Sequence, residues 1–477
     1  MRRKRFKPQV YESVSLTRAG AEGKTIGHID GKVVFVEGGA PGDVATIQVT
    51  KSKGKYMQAH LVSIQEASPY RTEPFCKHFG VCGGCKWQHI DYNEQLSLKN
   101  QWVKDCMERI AKVEIEHYED PIGSDQTQYY RNKLEFTFTN KAWEALFDKE
   151  NPQGIQGLGF HIPGRWDKVL DIDTCYLMSE PANSLRNWIR NKAIELNLTF
   201  WDARKQEGWL RNMLMRSSVN GDFMVVLSVG YDDTEAIQML FDAAASAFPE
   251  VNSWMYAVNS KKNDSWLGLN PVLYKGKGYL EETMEGLSFR VNPLSFFQTH
   301  PKQARVLYEL ARKWAEIEPS NTVYDLYTGT GTIAQFVAAQ ARKVIGIEYV
   351  EEAVQDARTN AERNGISHAV FYAGNMKDLL TESLFEKEGY PDVLITDPPR
   401  DGMHAEVIEA IKHAKPTRIV YISCNPATQA RDLALLCTDY NAVRSCAVDL
   451  FPHTHHIENV VLLVRKTPVT EHDKKSD

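Results

Sequence analysis

The stretch YDLYTGTGTIAQFVA, residues 324–338, decides the fold of the C-terminal part of the chain. An apolar run enters a turn that contains Gly329 and Gly331, and a second apolar run leaves it. Glycines at such a turn let the backbone approach a ligand closely at the start of a helix. From about residue 291 onward, amphipathic helices alternate with buried-type strands, namely TVYDLY, KVIGIE, DVLITD and RIVYISC. The pattern predicts a doubly wound, Rossmann-like α/β domain.

The glycine turn also predicts a nucleoside cofactor. Glu348 ends the next strand, nineteen residues after Gly329, where a carboxylate can accept hydrogen bonds from both ribose hydroxyls. The third glycine of a dinucleotide-binding fingerprint is absent, because Gly331 is followed by TIAQ. A cofactor without a diphosphate is therefore favoured, and S-adenosyl-L-methionine fits better than NAD.

Two further strands are predicted to end at the same edge of the sheet as the glycine turn. Asp397 precedes two prolines in DVLITDPPR, and Cys424 ends RIVYISC. A lone cysteine at a strand end is usually a small buried hydrophobe, so a chemical role needs further support. A thiolate can add to carbon 6 of a pyrimidine and make carbon 5 attack a sulfonium methyl group. A base must then remove the proton from carbon 5, and Glu458 at the start of the last strand is the natural acceptor.

The whole-chain composition sets the class of protein. With 477 residues, 43% of them hydrophobic and 25% charged, the chain is long enough for roughly three globular domains. The N-terminus MRRKRFKPQV is basic but lacks the apolar stretch of a signal peptide, so we predict a cytoplasmic protein with reduced cysteines. Residues 1–64 hold 11 Lys and Arg against 5 Asp and Glu, which indicates a segment that faces nucleic acid.

Three domains are predicted. Residues 1–66 alternate short β-type runs with glycine turns, which is typical of a small five-stranded, OB-like barrel that binds RNA. Residues 67–290 predict a central mixed α+β domain, and residues 291–477 predict the S-adenosylmethionine-dependent methyltransferase domain. A helix over 93–113 is a candidate to pack on the catalytic domain.

A cysteine-rich patch opens the central domain. Cys76, Cys82 and Cys85 have the spacing C-x5-C-x2-C on a tight glycine loop, and thiolates in a cytoplasmic protein are ligands of zinc or of an iron-sulfur cluster. A fourth ligand is required. Cys175 is the candidate, since the other cysteines lie in a predicted helix or in the methyltransferase domain. Spacing alone leaves zinc and iron-sulfur both open.

Four motifs, SCNPAT, DPPR, FFQTH and FPHTHHIE, together resemble the RNA uracil-5-methyltransferases over nearly the whole chain. The resemblance implies a TRAM domain for the barrel, Cys424 as nucleophile and Glu458 as general base. It also implies a 4Fe-4S cluster on the four cysteines Cys76, Cys82, Cys85 and Cys175. The residues implied to bind S-adenosylmethionine are Gln298, Tyr327, Glu348 and Asp397. One departure is Thr328, where the family usually has a cysteine, and a small polar residue should fit there.

Target access adds a further expectation. A uracil inside a helix cannot be reached, so the target must be single-stranded or flipped out. Phe296 and Phe297 are candidates to stack on the base, although such a pair is more often core. Arg131, Lys133 and Arg165 are candidates to hold phosphates.

We therefore predict a monomeric enzyme that transfers a methyl group to carbon 5 of a specific uridine in 23S ribosomal RNA. Three alternatives stay open at this point: the same chemistry on transfer RNA, a non-catalytic RNA-binding assembly factor, and an iron-sulfur redox or radical enzyme.

Overall fold

The N-terminal part of the computed structural model, which describes residues 7–143 and 155–467, is a closed β-barrel. Along the barrel wall the strands follow the order β1-β2-β3-β5-β4. Alternate residues of β4, among them Ala45, Ile47 and Val49, point inward and fill the interior. This alternation is the two-residue period of a strand with one buried face, and the predicted five-stranded barrel is confirmed over residues 9–66. Its elements are β1 (Gln9–Ala19), a 3-10 turn (Ala21–Gly23), β2 (Thr25–Ile29), β3 (Lys32–Glu37), β4 (Val44–Lys53) and β5 (Tyr56–Glu66).

The helix predicted over 93–113 is α1 (Tyr92–Cys106), continued by a π-helical turn (Met107–Ala111). Asp91 caps its first turn by accepting from the N–H groups of Asn93 and Glu94. Val103, Cys106 and Met107 are buried in a core cluster that also contains residues of the catalytic sheet, such as Tyr421. After α1, strand β6 (Ile115–Tyr118) pairs in parallel with the last-but-one strand of that sheet. This segment therefore belongs physically to the catalytic sheet, and the predicted domain boundaries stay a prediction.

The central region is built on a mixed sheet of seven described strands in the order β13-β12-β11-β10-β7-β8-β9. Helices α2 and α3 cover one face, where Met213, Leu227 and Trp254 are buried. On the other face, Leu214 and Val226 join the core of the catalytic domain. The elements are β7 (Lys133–Thr139), β8 (Gly157–Ile162), β9 (Arg165–Asp171), α2 (Ala182–Glu195), β10 (Leu210–Ser217), β11 (Phe223–Val229), α3 (Thr234–Ala247), β12 (Ser253–Val258) and β13 (Val272–Gly276).

The C-terminal region is the predicted doubly wound α/β fold. Its eight described strands run in the order β18-β17-β16-β19-β20-β22-β21-β6. From β16 the chain first adds β17 and β18 on one side and then crosses over to add β19 and β20 on the other side. A crevice opens at such a switch point, at the carboxyl ends of the strands. Before the first parallel strand lie a hairpin, β14 (Leu280–Met284) and β15 (Leu287–Val291), and helix α4 (Pro301–Ala315).

The remaining elements alternate as the sequence predicts. They are β16 (Thr322–Leu326), α5 (Thr332–Ala338), β17 (Lys343–Glu348), α6 (Glu351–Arg363), β18 (Ala369–Ala373), α7 (Met376–Leu379), α8 (Glu382–Glu388), β19 (Val393–Thr396), α9 (Ala405–Ala414), β20 (Arg418–Ser423), α10 (Pro426–Leu436), β21 (Tyr440–Val448) and β22 (Glu458–Arg465). No helix in the described ranges is both long enough and apolar enough to span a membrane.

Candidate active site

The parallel strands β16, β17, β19 and β20 all end at one edge of the sheet, and the predicted site residues follow these ends. Tyr327 directly follows β16, Glu348 ends β17, and Asp397 and Cys424 directly follow β19 and β20. Glu458 begins β22 at the same edge, because β22 runs antiparallel to β20. The structure thus brings the candidate cofactor residues, nucleophile and base to one crevice.

The pairing of β20 with β22 determines how Cys424 and Glu458 meet. Ser423 lies opposite Asn459, so the next residue outward on each strand is Cys424 and Glu458. Beneath them, the buried amide of Asn459 donates to the Gln429 side chain at 2.8 Å. The register between the two strands is therefore tied to α10 by a buried hydrogen bond, which disfavours a slip along the sheet.

Cys424 lies on a turn that is tied to the DPPR loop. Asn425 caps α10 by accepting from the N–H of Ala427, and its side-chain amide donates to the Arg400 carbonyl at 2.9 Å. The Thr428 hydroxyl donates to the same carbonyl at 3.0 Å. These bonds hold the Arg400 backbone beside the thiol.

The Cys424 thiol is half-buried and protonated at neutral pH. Burial raises its pKa to about 11, and the carboxyl groups of Glu458 and Asp397 act in the same direction. The Arg400 guanidinium lies close enough to the sulfur to lower its pKa. Arg400 is thus the described cation that favours the thiolate, a role that the sequence prediction did not assign to it.

Glu458 is a buried carboxyl group with an unused oxygen. Its side chain is 2% exposed, and its Oε2 atom has no hydrogen-bond partner among the described residues. Burial raises its pKa well above the usual value, the neighbouring Asp397 adds to the shift, and Arg400 opposes it. Burial therefore favours the neutral form of Glu458 in the free protein.

Two more carboxyl groups complete an acidic cluster. Burial raises the pKa of Asp325 and of Asp397 to about 7 each, and the charge of Asp325 adds to the shift of Asp397. Burial raises the pKa of Tyr308 on α4 well above its usual value, and the nearby charges of Asp397, Asp325 and Glu458 act in the same direction. Sequence analysis missed Tyr308, because its spacing along the amphipathic helix α4 is that of an ordinary core residue.

The glycine turn after β16 leaves room for a ligand. Gly329 has a φ of 55°, and a Cβ atom at this position would meet no heavy atom within 4 Å. Its N–H donates to Glu348 Oε2 at 3.1 Å, while Glu348 Oε1 accepts from the N–H groups of Tyr349 and Val350. Three backbone donors therefore fix the Glu348 carboxylate at the rim of an open space. This geometry fits a ribose-binding carboxylate.

The segment that carries Gln298 is clamped from the central sheet. Arg216, fully buried on β10, donates to the carbonyl groups of Asn292, Pro293 and Ser295. Of the two phenylalanines that follow, Phe297 is 5% exposed and belongs to the core, while Phe296 is 66% exposed. Phe296 thus stays a candidate to stack on a base, and Phe297 does not.

The histidines before Glu458 are neutral at physiological pH. The rings of His455 and His456 lie 4.1 Å apart between centroids, and Arg400 approaches the His456 ring. Burial lowers the pKa of His455 to about 4 and of His456 to about 3. Over residues 7–143 and 155–467, no group of three or more His, Cys, Asp or Glu side chains is arranged to hold a metal ion.

The four cysteines of the predicted cluster site nevertheless line one cavity. Cys76, Cys82 and Cys85 come from the loop after the barrel, and Cys175 from the segment after β9. Burial raises the pKa of Cys82 to about 11 and of Cys85 to about 12. The sequence prediction that Cys175 is the fourth cysteine of this set agrees with this placement, and the identity of any bound group stays a prediction.

Comparison with known proteins agrees with this architecture. Residues 277–466 match the tRNA (uracil-5-)-methyltransferase family, and residues 9–62 match the TRAM domain. A relative from Porphyromonas gingivalis, described as an uncharacterized RNA methyltransferase, is 52% identical over 95% of this chain and 100% of its own length. The chain belongs to the RNA uracil-5-methyltransferase family. It is therefore an S-adenosylmethionine-dependent enzyme that methylates RNA, and its N-terminal barrel is a TRAM domain.

Two further comparisons support the family assignment. A Bacteroides thetaiotaomicron relative with the same description is 50% identical over 93% of this chain and 99% of its own. The solved structure of Pyrococcus abyssi tRNA (uracil-54, C5)-methyltransferase, in complex with S-adenosyl-L-homocysteine, is 27% identical with a TM-score of 0.74. That likeness covers 94% of this chain and 100% of the Pyrococcus abyssi chain. The predicted methyltransferase fold with an N-terminal small barrel is confirmed.

The acidic cluster predicts proton release when the cofactor binds. A sulfonium cation favours the ionised form of nearby carboxyl groups, so it lowers pKa values that burial holds near 7 in Asp325 and Asp397. Calorimetry of S-adenosylmethionine binding at pH 7, in buffers of different ionisation enthalpy, should show net proton release. S-adenosylhomocysteine, whose sulfur is neutral, is the control and should release fewer protons; equal release by both ligands would contradict this electrostatic account.

Arg400 is predicted to set the reactivity of the thiol. Arg400→Met removes the cation that lowers the Cys424 pKa, so alkylation of Cys424 by iodoacetamide at pH 8 should slow, by at most about tenfold because Arg400 is solvent-exposed. Arg400→Lys keeps a positive charge and serves as the matched control. The labelled peptide is quantified by mass spectrometry, and unchanged alkylation in Arg400→Met would refute the assignment.

Proposed function

We propose that the enzyme methylates carbon 5 of a specific uridine in 23S ribosomal RNA, with Cys424 as nucleophile and Glu458 as general base. The observation that carries this proposal is the register of β20 and β22, which sets a thiol and a buried, unpartnered carboxyl group side by side. A nucleophile and a base at one strand edge are what addition and elimination at neighbouring ring carbons require.

The cofactor is held by the residues around the glycine turn. Gln298, Tyr327, Glu348 and Asp397 would hold S-adenosylmethionine, with the Glu348 carboxylate toward the ribose hydroxyls. When bound, S-adenosylmethionine supplies an electrophilic methyl group on a sulfonium. The open space beside Gly329 and the unused oxygen of Asp325 fit a cationic nucleoside ligand at this position.

The chain's own residues then act in order. Cys424 loses its proton to solvent, and its sulfur adds to carbon 6 of the uracil, a step that the Arg400 cation favours by stabilising the thiolate. The electron pair displaced by this addition lets carbon 5 take the methyl group, and the electrons of the broken sulfur–methyl bond would stay on the departing sulfur as a neutral thioether. Glu458 removes the proton from carbon 5, and the Cys424 sulfur leaves carbon 6 as a thiolate while the ring double bond re-forms. Cys424 then regains a proton from solvent and Glu458 gives its own to solvent, so the sulfonium charge leaves as one proton.

Glu458 must ionise before it can accept that proton. Burial and Asp397 raise its pKa, so the release of product should accelerate as pH rises through this raised value. The sulfonium charge and the acidic cluster stabilise each other, because a bound cation favours ionised carboxyl groups and ionised carboxyl groups favour a bound cation.

Ribosomal RNA is favoured by the resemblance of the barrel and the cysteine loop to family members that act on it. The Pyrococcus abyssi likeness favours a second candidate, transfer RNA, since that enzyme is named for a tRNA uridine. Both RNAs share the chemistry at Cys424, so one experiment can separate them.

The proposal predicts a covalent RNA adduct. Transcripts of 23S and of transfer RNA in which 5-fluorouracil replaces uracil are incubated with enzyme and S-adenosylmethionine, then analysed by intact mass spectrometry. Fluorine cannot leave as a proton does, so a methylated adduct on Cys424 should accumulate with the 23S transcript. Cys424→Ala should form none, and an adduct formed only with transfer RNA would overturn the ribosomal assignment.

The base is tested on ordinary uridine RNA. Glu458→Gln keeps the size of the side chain but cannot accept the proton, so product release should slow by about 10²–10⁴-fold while the methylated adduct accumulates. Wild-type release rates in Glu458→Gln would show that another group takes the proton.

We also propose that the four-cysteine cavity holds a 4Fe-4S cluster. The Gly84 N–H donates a hydrogen bond to the Cys82 sulfur at 3.4 Å, as backbone N–H groups do to the cysteine sulfurs of iron-sulfur clusters. Four thiols around one cavity match the four cysteine ligands of such a cluster, and the resemblance to family members that carry one favours iron-sulfur over zinc. Methyl transfer needs no redox change, so the cluster would serve structure or RNA positioning.

Cys175→Ser should remove most of the bound iron and acid-labile sulfide from enzyme purified without oxygen. Cys446→Ser is the matched control, because Cys446 is also buried but does not line the cavity. Iron and sulfide assays with the visible absorption spectrum give the result. Zinc in place of iron in the wild-type protein would contradict the cluster.

A further inference from the structure

The segment that leads to Glu458 has no regular structure of its own. Residues 449–457, between β21 and β22, form neither helix nor strand. Within it, His453 has a φ of 64°, a left-handed conformation that a non-glycine residue adopts only when its surroundings impose it. The position of Glu458 therefore depends on what holds this segment from outside.

Gln95 on α1 is the residue that holds His453. Its side chain is fully buried, and its Oε1 atom accepts from the N–H of His453 at 2.9 Å. Its Nε2 atom donates to the carbonyl groups of Trp87 and Ile90 and lies 3.2 Å from His453 Nδ1. Both ends of one amide thus link helix α1, the loop before it and the segment before Glu458.

The loop before α1 binds the carbonyl side of the same residue. The N–H groups of Lys86 and Trp87 donate to the His453 carbonyl at 2.8 and 3.0 Å. The ring of Phe75 contacts the His453 ring edge-on, with centroids 5.0 Å apart. His453 is therefore bonded through its N–H, its carbonyl and its ring to residues that lie more than 350 positions earlier in the chain.

A second attachment lies one helical turn further along α1. Lys99, four residues after Gln95 and on the same helix face, donates to Asp449 at 2.7 Å and to the Phe451 carbonyl at 3.1 Å. Both members of this ion pair are fully buried. Helix α1 is thus hydrogen-bonded to the segment at Asp449 near its start and at His453 near its middle.

We propose that Gln95 is a positioning residue for proton removal: through His453 it fixes the segment that places Glu458 beside Cys424. This inference rests on the proposed role of Glu458. Gln95 contacts neither the crevice nor Cys424 in the described hydrogen bonds, so it should affect the base step and leave thiol addition unchanged.

The two halves of the reaction separate this role from a general structural one. Addition of Cys424 and transfer of the methyl group do not use Glu458, whereas release of the methylated RNA does. A misplaced base should therefore slow release and leave methylated enzyme–RNA adduct on ordinary uridine RNA. Trapping on 5-fluorouracil RNA, which stops before proton removal, should keep its normal rate.

The test uses Gln95→Met, which matches the volume of glutamine but cannot form the amide hydrogen bonds. We expect release from uridine RNA to slow by about 10–100-fold, the effect of a base displaced by about 1 Å, with 5-fluorouracil trapping unchanged within about twofold. Gln101→Met is the matched control: the same substitution on the exposed face of the same helix should leave both rates unchanged.

Gln95→Asn is the second variant, in case the methionine prevents folding, because it keeps an amide that is one methylene shorter. It should show the same split of the two rates, to a smaller extent. Equal loss of trapping and release would show a merely structural role, and normal release in both variants would refute the inference. If the wild-type enzyme forms no adduct at all, the proposed function fails instead.

Discussion

The antiparallel pairing of β20 with β22 is the constraint on which the site depends. Parallel strands alone would bring the cofactor residues to one edge of the sheet, but they would not supply a second functional group opposite Cys424. Because β22 runs the other way, its first residue, Glu458, lies at the edge where β20 ends. The buried Gln429–Asn459 hydrogen bond fixes the register of this pair. A slip by one residue would turn the carboxyl group to the other face of the sheet.

Burial gives this edge its electrostatic character. Asp325, Asp397 and Glu458 share a low-dielectric crevice, and each has a raised pKa because its charged form is poorly solvated. Three ionised carboxyl groups would repel one another in this crevice, whereas a bound cation would be attracted to them. Burial therefore favours the neutral forms of these acids and of the Cys424 thiol in the free enzyme. Binding of a sulfonium ligand shifts this balance, which links cofactor binding to the readiness of the base.

Local sequence signals predict the parts of the site that depend on short segments. Parallel α/β sheets bind ligands at the carboxyl ends of their strands, so a residue at such an end can be predicted without knowing how the side chains pack. This holds for the glycine turn, Glu348, Asp397 and Cys424. The barrel follows equally from its alternating strands. Other contacts span the chain: Tyr308 reads as a helix core residue, and Gln95 reads as a surface glutamine of a predicted helix. Only packing against distant segments shows that Tyr308 is buried near the acids and that Gln95 is buried against the segment that leads to Glu458.

The most direct measurement is quantitative mapping of 5-methyluridine in 23S ribosomal RNA and transfer RNA from cells that carry the wild-type chain, Cys424→Ala, or no copy. The account predicts that a specific 23S uridine loses its methyl group in both mutant strains, while transfer RNA keeps its modifications. Loss from transfer RNA alone would retain the chemistry and change the substrate. If the Cys424→Ala strain keeps 5-methyluridine at every site that the wild-type strain methylates, the central claim that this thiol carries the reaction is contradicted.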